Sequence, residues 1–99
     1  MIQRSDVPGF EHMVIRIKNF IPRKCSISFS RLEYWLTIPE FVTDVIAKIE
    51  SNVTIDDEVL LNIMQGIYNR RISEDEGFDA KLARRAINSL KKACGLQTE

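Results

Sequence analysis

The stretch FEHMVIRIKNFI, residues 10–21, decides between an all-helical fold and a mixed one. Its apolar residues recur at intervals of three and four, which places them on one side of a helix. These residues are Phe10, Met13, Val14, Ile17, Phe20 and Ile21. Residues 15–18 also alternate between isoleucine and a basic residue, as a half-buried strand would. Because the helical stripe runs through the whole stretch and the alternation through only a third of it, we predict a helix.

The alternative for this region is a β-hairpin in which residues 13–18 pair with residues 25–29, where apolar and polar residues alternate again. That pairing would change the fold class to α+β. Two residues favour the helix, since Asp6 can cap its start and Pro8 is tolerated in a first turn. Pro22 is expected to end the helix, because proline cannot donate a backbone hydrogen bond.

Two capping boxes predict the next two helices. At residues 30–33 and again at 37–40, a Ser or Thr is followed three residues later by Glu. The first box predicts a short helix over residues 30–37, and the second a helix that stops at residues 51–52. The apolar residues of these helices are Phe29, Leu32, Trp35 and Leu36, then Phe41, Val42, Val45, Ile46 and Ile49.

Two longer amphipathic segments complete the chain. Thr54 or Asp56 would cap the first, and the acidic break at residues 73–77 separates it from the second, which Gly95 would end. Their apolar residues are Val59, Leu60, Ile63, Met64, Ile67, Tyr68 and Ile72, then Phe78, Leu82, Ala86, Ile87, Leu90 and Cys94. We therefore predict a single all-α domain over residues 1–99, a compact bundle of about five helices.

The distribution of charge bears on the kind of partner. The chain has 14 Lys and Arg against 14 Asp and Glu, whereas nucleic-acid-binding domains usually carry a basic surplus. The sign varies along the chain: residues 1–36 hold six basic and three acidic residues, 37–79 three and ten, and 80–99 five and one. Faces of opposite sign would steer a charged protein partner, or a second copy of this protein.

No motif for catalysis or metal binding stands out. His12 is the only histidine, and the acidic runs 56–58 and 74–76 are consecutive, so their side chains point in different directions. Cys25 and Cys94 do not form a C-x-x-C pair, and we expect both to be reduced thiols of a cytoplasmic protein. No apolar run is long enough to cross a membrane, and no signal peptide is evident. We expect a protein that is not an enzyme and uses no cofactor or metal.

The last predicted helix gives the clearest candidate surface. Lys81, Arg84 and Arg85 share one side at spacings of three and four, and Lys92 extends it. Such residues either form a solvated helix face or contact an acidic protein surface or phosphates. We expect a protein–protein interaction module, such as a small adaptor, an inhibitor or a self-associating regulator. The alternative is a small nucleic-acid-binding regulator that uses this helix, helped by residues 70–71.

Several short motifs follow one another in order between Leu32 and Lys92. They are Trp35-Leu36, Ile55-Asp56, Leu60-Leu61, Gly77, Ala86-Ile87 and Leu90. In this order they resemble a sterile alpha motif domain, with the N-terminal helix lying outside the resemblance. It implies a five-helix bundle with a binding role, because members of that family commonly join head to tail.

The resemblance also implies two partner-binding surfaces. One is an acidic surface in the middle of the chain, and the other is formed by the start of the last helix. The acidic surface would include Asp56, Asp57 and Glu58. The other would include Phe78, Lys81, Arg84 and Arg85.

Overall fold

A computed structural model describes residues 9–96, which form five α-helices and one short 3₁₀-helix and contain no strand. The elements are α1 (Phe10–Lys24), α2 (Phe29–Glu33), the 3₁₀-helix (Trp35–Thr37), α3 (Pro39–Glu50), α4 (Asp57–Glu74) and α5 (Ala80–Ala93). The predicted all-α bundle of about five helices is confirmed. None of these helices is both long enough and apolar enough to span a membrane.

The β-hairpin alternative is wrong. Residues 13–18 lie inside α1, and residues 25–28 form an irregular connection to α2. Ile15 is 53% exposed while Ile17 is fully buried, although both would face the same side of a strand. The stripe with helical spacing decided the structure because it supplies α1 with a continuous buried side, which packs against α3.

Trp35 is the centre of the core. Its side chain is fully buried, as are those of Leu32 and Phe41, and its ring centroid lies 5.3 Å from that of Phe41. The indole Nε1–H donates a hydrogen bond to the backbone carbonyl of Ala83 at 3.2 Å. This contact ties the 3₁₀-helix to α5, while α4 packs against both α3 and α5.

Both predicted capping boxes are wrong. The hydroxyl of Ser28, not Ser30, accepts the N–H of Arg31, so α2 begins at Phe29. The helix α3 begins without a side-chain cap, and the hydroxyl of Thr37 donates instead to the carbonyl of Tyr34 at 2.6 Å. A proline at the first position of α3 needs no cap for its own nitrogen and holds the backbone angle of a helix.

Three other helix ends agree with prediction. Asp56 caps α4, because its Oδ1 accepts the N–H of Val59 at 2.9 Å. Asn52 (φ 59°) and Gly95 (φ 75°) adopt left-handed conformations just after α3 and α5. At both of these ends, the N–H of the left-handed residue and the N–H of the residue after it bond back to the last turn, which satisfies carbonyls that the helix leaves open.

Some predicted apolar stripes extend beyond the core. Leu82 and Cys94 are exposed, because the buried side of α5 is instead centred on Ala83, Ala86, Ile87 and Leu90. Ile72, near the end of α4, is also 51% exposed. Phe29 is also 44% exposed, and the ammonium of Lys18 lies 5.3 Å from its ring centroid.

The prediction that Pro22 ends the first helix is also wrong. α1 continues to Lys24, and the N–H of Cys25 still bonds the carbonyl of Ile21 at 2.8 Å. Ile21 and Cys25 are buried and hold the last turn in place, while the proline ring is exposed to solvent. The predicted cap Asp6 and the first-turn Pro8 lie outside the described residues.

Replacing Pro22 with alanine should stabilise the protein, because it restores a backbone N–H inside α1. The free energy of unfolding should rise by about 1–2 kcal/mol, a fraction of the cost of proline within a helix. Pro39→Ala is the matched control, since Pro39 stands where no intrahelical bond is lost and should change stability by about 0.5 kcal/mol or less. Urea unfolding followed by circular dichroism measures both. A Pro22→Ala protein no more stable than the wild type would contradict this account.

Candidate functional site

The exposed side of α5 is basic. Lys81, Arg84, Arg85 and Lys92 are all exposed, on the side of the helix away from its buried alanines and leucine. Residues 81, 85, 88 and 92 are spaced four, three and four apart, so they form one row along the helix. The three predicted basic site residues therefore lie together on one continuous surface.

Arg31 joins this surface from α2, although nothing in the sequence pattern pointed to it. α2 packs against α5, and Arg31 lines a groove of about 400 Å³ between the two helices. The other lining residues are Arg85, Asn88, Ser89 and Lys92. We call Arg31, Lys81, Arg84, Arg85 and Lys92 the basic face. Only the tertiary packing of α2 brings the first of these residues near the others.

The charges of the basic face are not neutralised within the described part of the chain, where none of its five residues forms an ion pair. The ion pairs described there involve Arg70 and Arg71 instead. Arg71 binds Asp75 at 3.0 Å and Glu40 at 3.4 Å, and Arg70 binds Glu40 as well. The two arginines that the sequence offered as helpers in nucleic-acid binding are thus matched by acids.

The acid just before α5 also has a partner. Asp79 precedes α5, and its Oδ1 accepts the N–H of Leu82 at 3.1 Å. This contact satisfies a donor at the helix start and keeps the carboxylate at the positive end of the helix dipole.

The predicted acidic surface lies near the C-terminal end of α5, just beyond Lys92. The pKa of the Cys94 thiol, just after α5, is raised by desolvation and by the negative charge of Asp57, Glu58 and Asp56. Asp56 caps α4, and Asp57 Oδ1 accepts the N–H of Ser26 at 2.5 Å. Two of the three carboxylates therefore stabilise the fold locally, and the role of all three in partner binding stays a prediction.

Phe78 lies in a cluster of aromatic rings. Its ring centroid is 6.1 Å from that of Tyr34, 6.4 Å from Trp35 and 5.8 Å from Tyr68. The Tyr34 hydroxyl accepts the N–H of Asp79 at 2.8 Å. These contacts fix the connection between α4 and α5, so packing accounts for the position of Phe78, while its half-buried ring keeps one edge at the surface.

This edge lines a cleft of about 720 Å³ between the start of α3 and the end of α4. Its charged residues, Glu40, Arg71 and Asp75, bind one another. No histidine or cysteine lines the cleft among the described residues. The cleft thus presents paired charges beside aromatic surface.

Neither Cys25 nor His12 lines the cleft. Burial, with the nearby negative charge of Asp57 and Asp56, raises the pKa of the Cys25 thiol to about 12, so the thiol stays protonated near neutral pH. His12 is exposed on α1. Between residues 9 and 96, no group of three or more His, Cys, Asp or Glu side chains could hold a metal ion.

Comparison with protein-family models, curated proteins and solved structures finds no match to this chain. The sterile alpha motif resemblance therefore stays a prediction, and so do the two surfaces that it implies.

The hydroxyl of Tyr34 should contribute to stability, and that of Tyr68 should not. Tyr34→Phe removes the acceptor of the Asp79 N–H and should lower the free energy of unfolding by about 1 kcal/mol. Tyr68→Phe is the control, because its ring also packs on Phe78 but its hydroxyl bonds no described residue; it should change stability by about 0.5 kcal/mol or less. Equal losses in chemical unfolding would show that the hydrogen bond is not the cause.

Proposed function

We propose that this protein is a non-enzymatic interaction module that binds an acidic segment of another protein on the basic face. The observation that carries the proposal is a row of exposed cations with no acidic partner in the described structure. Positive charges left in water attract a complementary surface and accelerate its encounter.

The dimensions of the basic face suit a short peptide. With 14 residues, α5 is about 21 Å long, the span of about six or seven extended residues. Leu82 is exposed three residues before Arg85 and hence on the same side of the helix, where it offers an apolar contact beside the cations. A segment that alternates acidic and apolar residues would match both features.

A protein partner is favoured over a nucleic acid because the positive charge is local. The whole chain is neutral, with ten acidic and three basic residues over 37–79. A long polyanion would extend past α5 and meet acidic surface, whereas a short acidic segment would not. Arg70 and Arg71, which could have widened the basic area, are bound to acids.

The acidic partner is more simply a different protein than a second copy. Asp56 and Asp57 would be the natural acidic contacts between copies, but each already accepts a backbone N–H. Of these three acids, Glu58 is the one that accepts no backbone N–H in the described structure. Light scattering of the protein alone, over a wide range of concentration, should therefore report a monomer.

The proposal predicts that reversing two charges abolishes most of the binding. Lys81→Glu with Arg85→Glu should weaken binding of a fluorescent peptide of alternating Glu and Leu at least about tenfold, because each lost pair is also replaced by a repulsion. Arg23→Glu with Lys24→Glu makes the same change of net charge at the exposed end of α1 and should leave binding nearly unchanged. Fluorescence anisotropy at two salt concentrations measures both, and high salt should weaken the wild-type complex.

Three outcomes would contradict the proposal. The first is equal binding by the two double variants when circular dichroism shows both to be folded. The second is tighter binding of duplex DNA than of the peptide, with a steep salt dependence, which would favour the nucleic-acid alternative. The third is growth of the wild-type protein with concentration that high salt suppresses, which would indicate self-association between the acidic and basic surfaces.

A further inference from the structure

We infer that the groove between α2 and α5 is a binding site for a phosphate monoester, a phosphoserine or phosphothreonine within the bound segment. The inference rests on the proposed function and names the chemistry of the residue that the partner places in the groove.

The lining of the groove has the composition of an anion site. It consists of Arg31, Arg85, Asn88, Ser89 and Lys92. Each of these side chains ends in a group that can donate a hydrogen bond, and three of them carry a positive charge. No carboxylate from the described residues lines the groove.

The three positive charges of the groove are better matched by a phosphate than by a carboxylate. A carboxylate carries one negative charge and would leave two of the three cations unmatched. A phosphate monoester carries a charge of about −1.5 to −2 near neutral pH and has three acceptor oxygens. Two guanidinium groups can each bind such oxygens in pairs, and a lysine adds a point charge.

The backbone already holds the two arginines on either side of the groove. Arg31 follows the Ser28 cap of α2 and precedes Leu32, whose side chain is fully buried. On the other side, α5 is anchored by fully buried Leu90, between Ser89 and the last basic residues. The guanidinium groups thus reach the groove from two helices that are packed together, which limits the ordering needed on binding.

The distance from the groove to the other cations of the basic face determines where the partner segment should carry acidic residues. Lys81 lies eight residues before Ser89, so the two are about 12 Å apart along the helix axis. An extended chain covers that distance in about four residues. The preferred partner segment therefore has a phosphorylated residue with acidic residues within about four positions on one side.

Isothermal titration calorimetry with three peptides tests the inference. The peptides share one acidic sequence and differ only at a central position, which holds serine, glutamate or phosphoserine. The wild-type protein should bind the phosphoserine peptide about tenfold more tightly than the glutamate peptide, because charge-assisted bonds to a dianion are stronger and more numerous.

Two matched variants separate the groove from the rest of the basic face. Arg31→Gln changes a groove residue outside α5, and it should remove the preference for phosphoserine while affinity for the glutamate peptide falls less than about twofold. Arg84→Gln changes a residue of the basic face that does not line the groove. It should therefore lower the affinity for the glutamate peptide and the affinity for the phosphoserine peptide by the same factor. Lys92→Gln changes a second exposed residue of the groove and should also remove the preference for phosphoserine.

The outcomes distinguish this inference from the proposed function. Equal affinity of the wild-type protein for the glutamate and phosphoserine peptides overturns the phosphate site but leaves the proposed function standing. A phosphoserine preference that survives in Arg31→Gln and Lys92→Gln also overturns the site. No binding of any peptide overturns both. Binding of free phosphoserine as tight as that of the phosphopeptide overturns the assignment to a protein segment.

Discussion

The architecture depends on the burial of one indole ring. Trp35 fills the centre of the core, contacts the rings of Phe41 and Phe78, and donates its Nε1–H to the carbonyl of Ala83. These contacts hold the short α2 and 3₁₀ segment against α5. The groove exists only because α2 is held there, so the position of Arg31 beside Arg85 is a consequence of core packing.

Several of the acids also serve the fold. The acids around Arg70 and Arg71 are paired with them, Asp56 and Asp79 cap helices, and Asp57 bonds the chain after α1. The cations of the basic face form no ion pair in the described structure, and neither do Arg23 and Lys24, so what distinguishes the basic face is that its cations lie together. An arrangement that uses acids for the fold and leaves a row of bases exposed is typical of a surface kept for an anionic partner.

The sequence predicted the fold better than the candidate site. Apolar spacing predicted each long helix, since burial of one side is a property of the helix itself and can be counted along the chain. Pro22 and the capping boxes were misread, because tertiary burial of Ile21 and Cys25 and the bond from Thr37 to Tyr34 outweighed local preferences. Arg31 could not be found at all, because its neighbours on α5 are more than fifty residues away in sequence.

On these contacts, the stability of the fold does not depend on the positive charge of the basic face. Neutralising one arginine at a time and measuring the change in the free energy of unfolding tests this. Arg85→Gln should leave stability within about 0.5 kcal/mol of the wild type, or raise it, while Arg71→Gln, which breaks contacts with Glu40 and Asp75, should lower it by about 1 kcal/mol. A loss of stability in Arg85→Gln as large as that in Arg71→Gln would show that the basic face serves the fold, and would contradict the account.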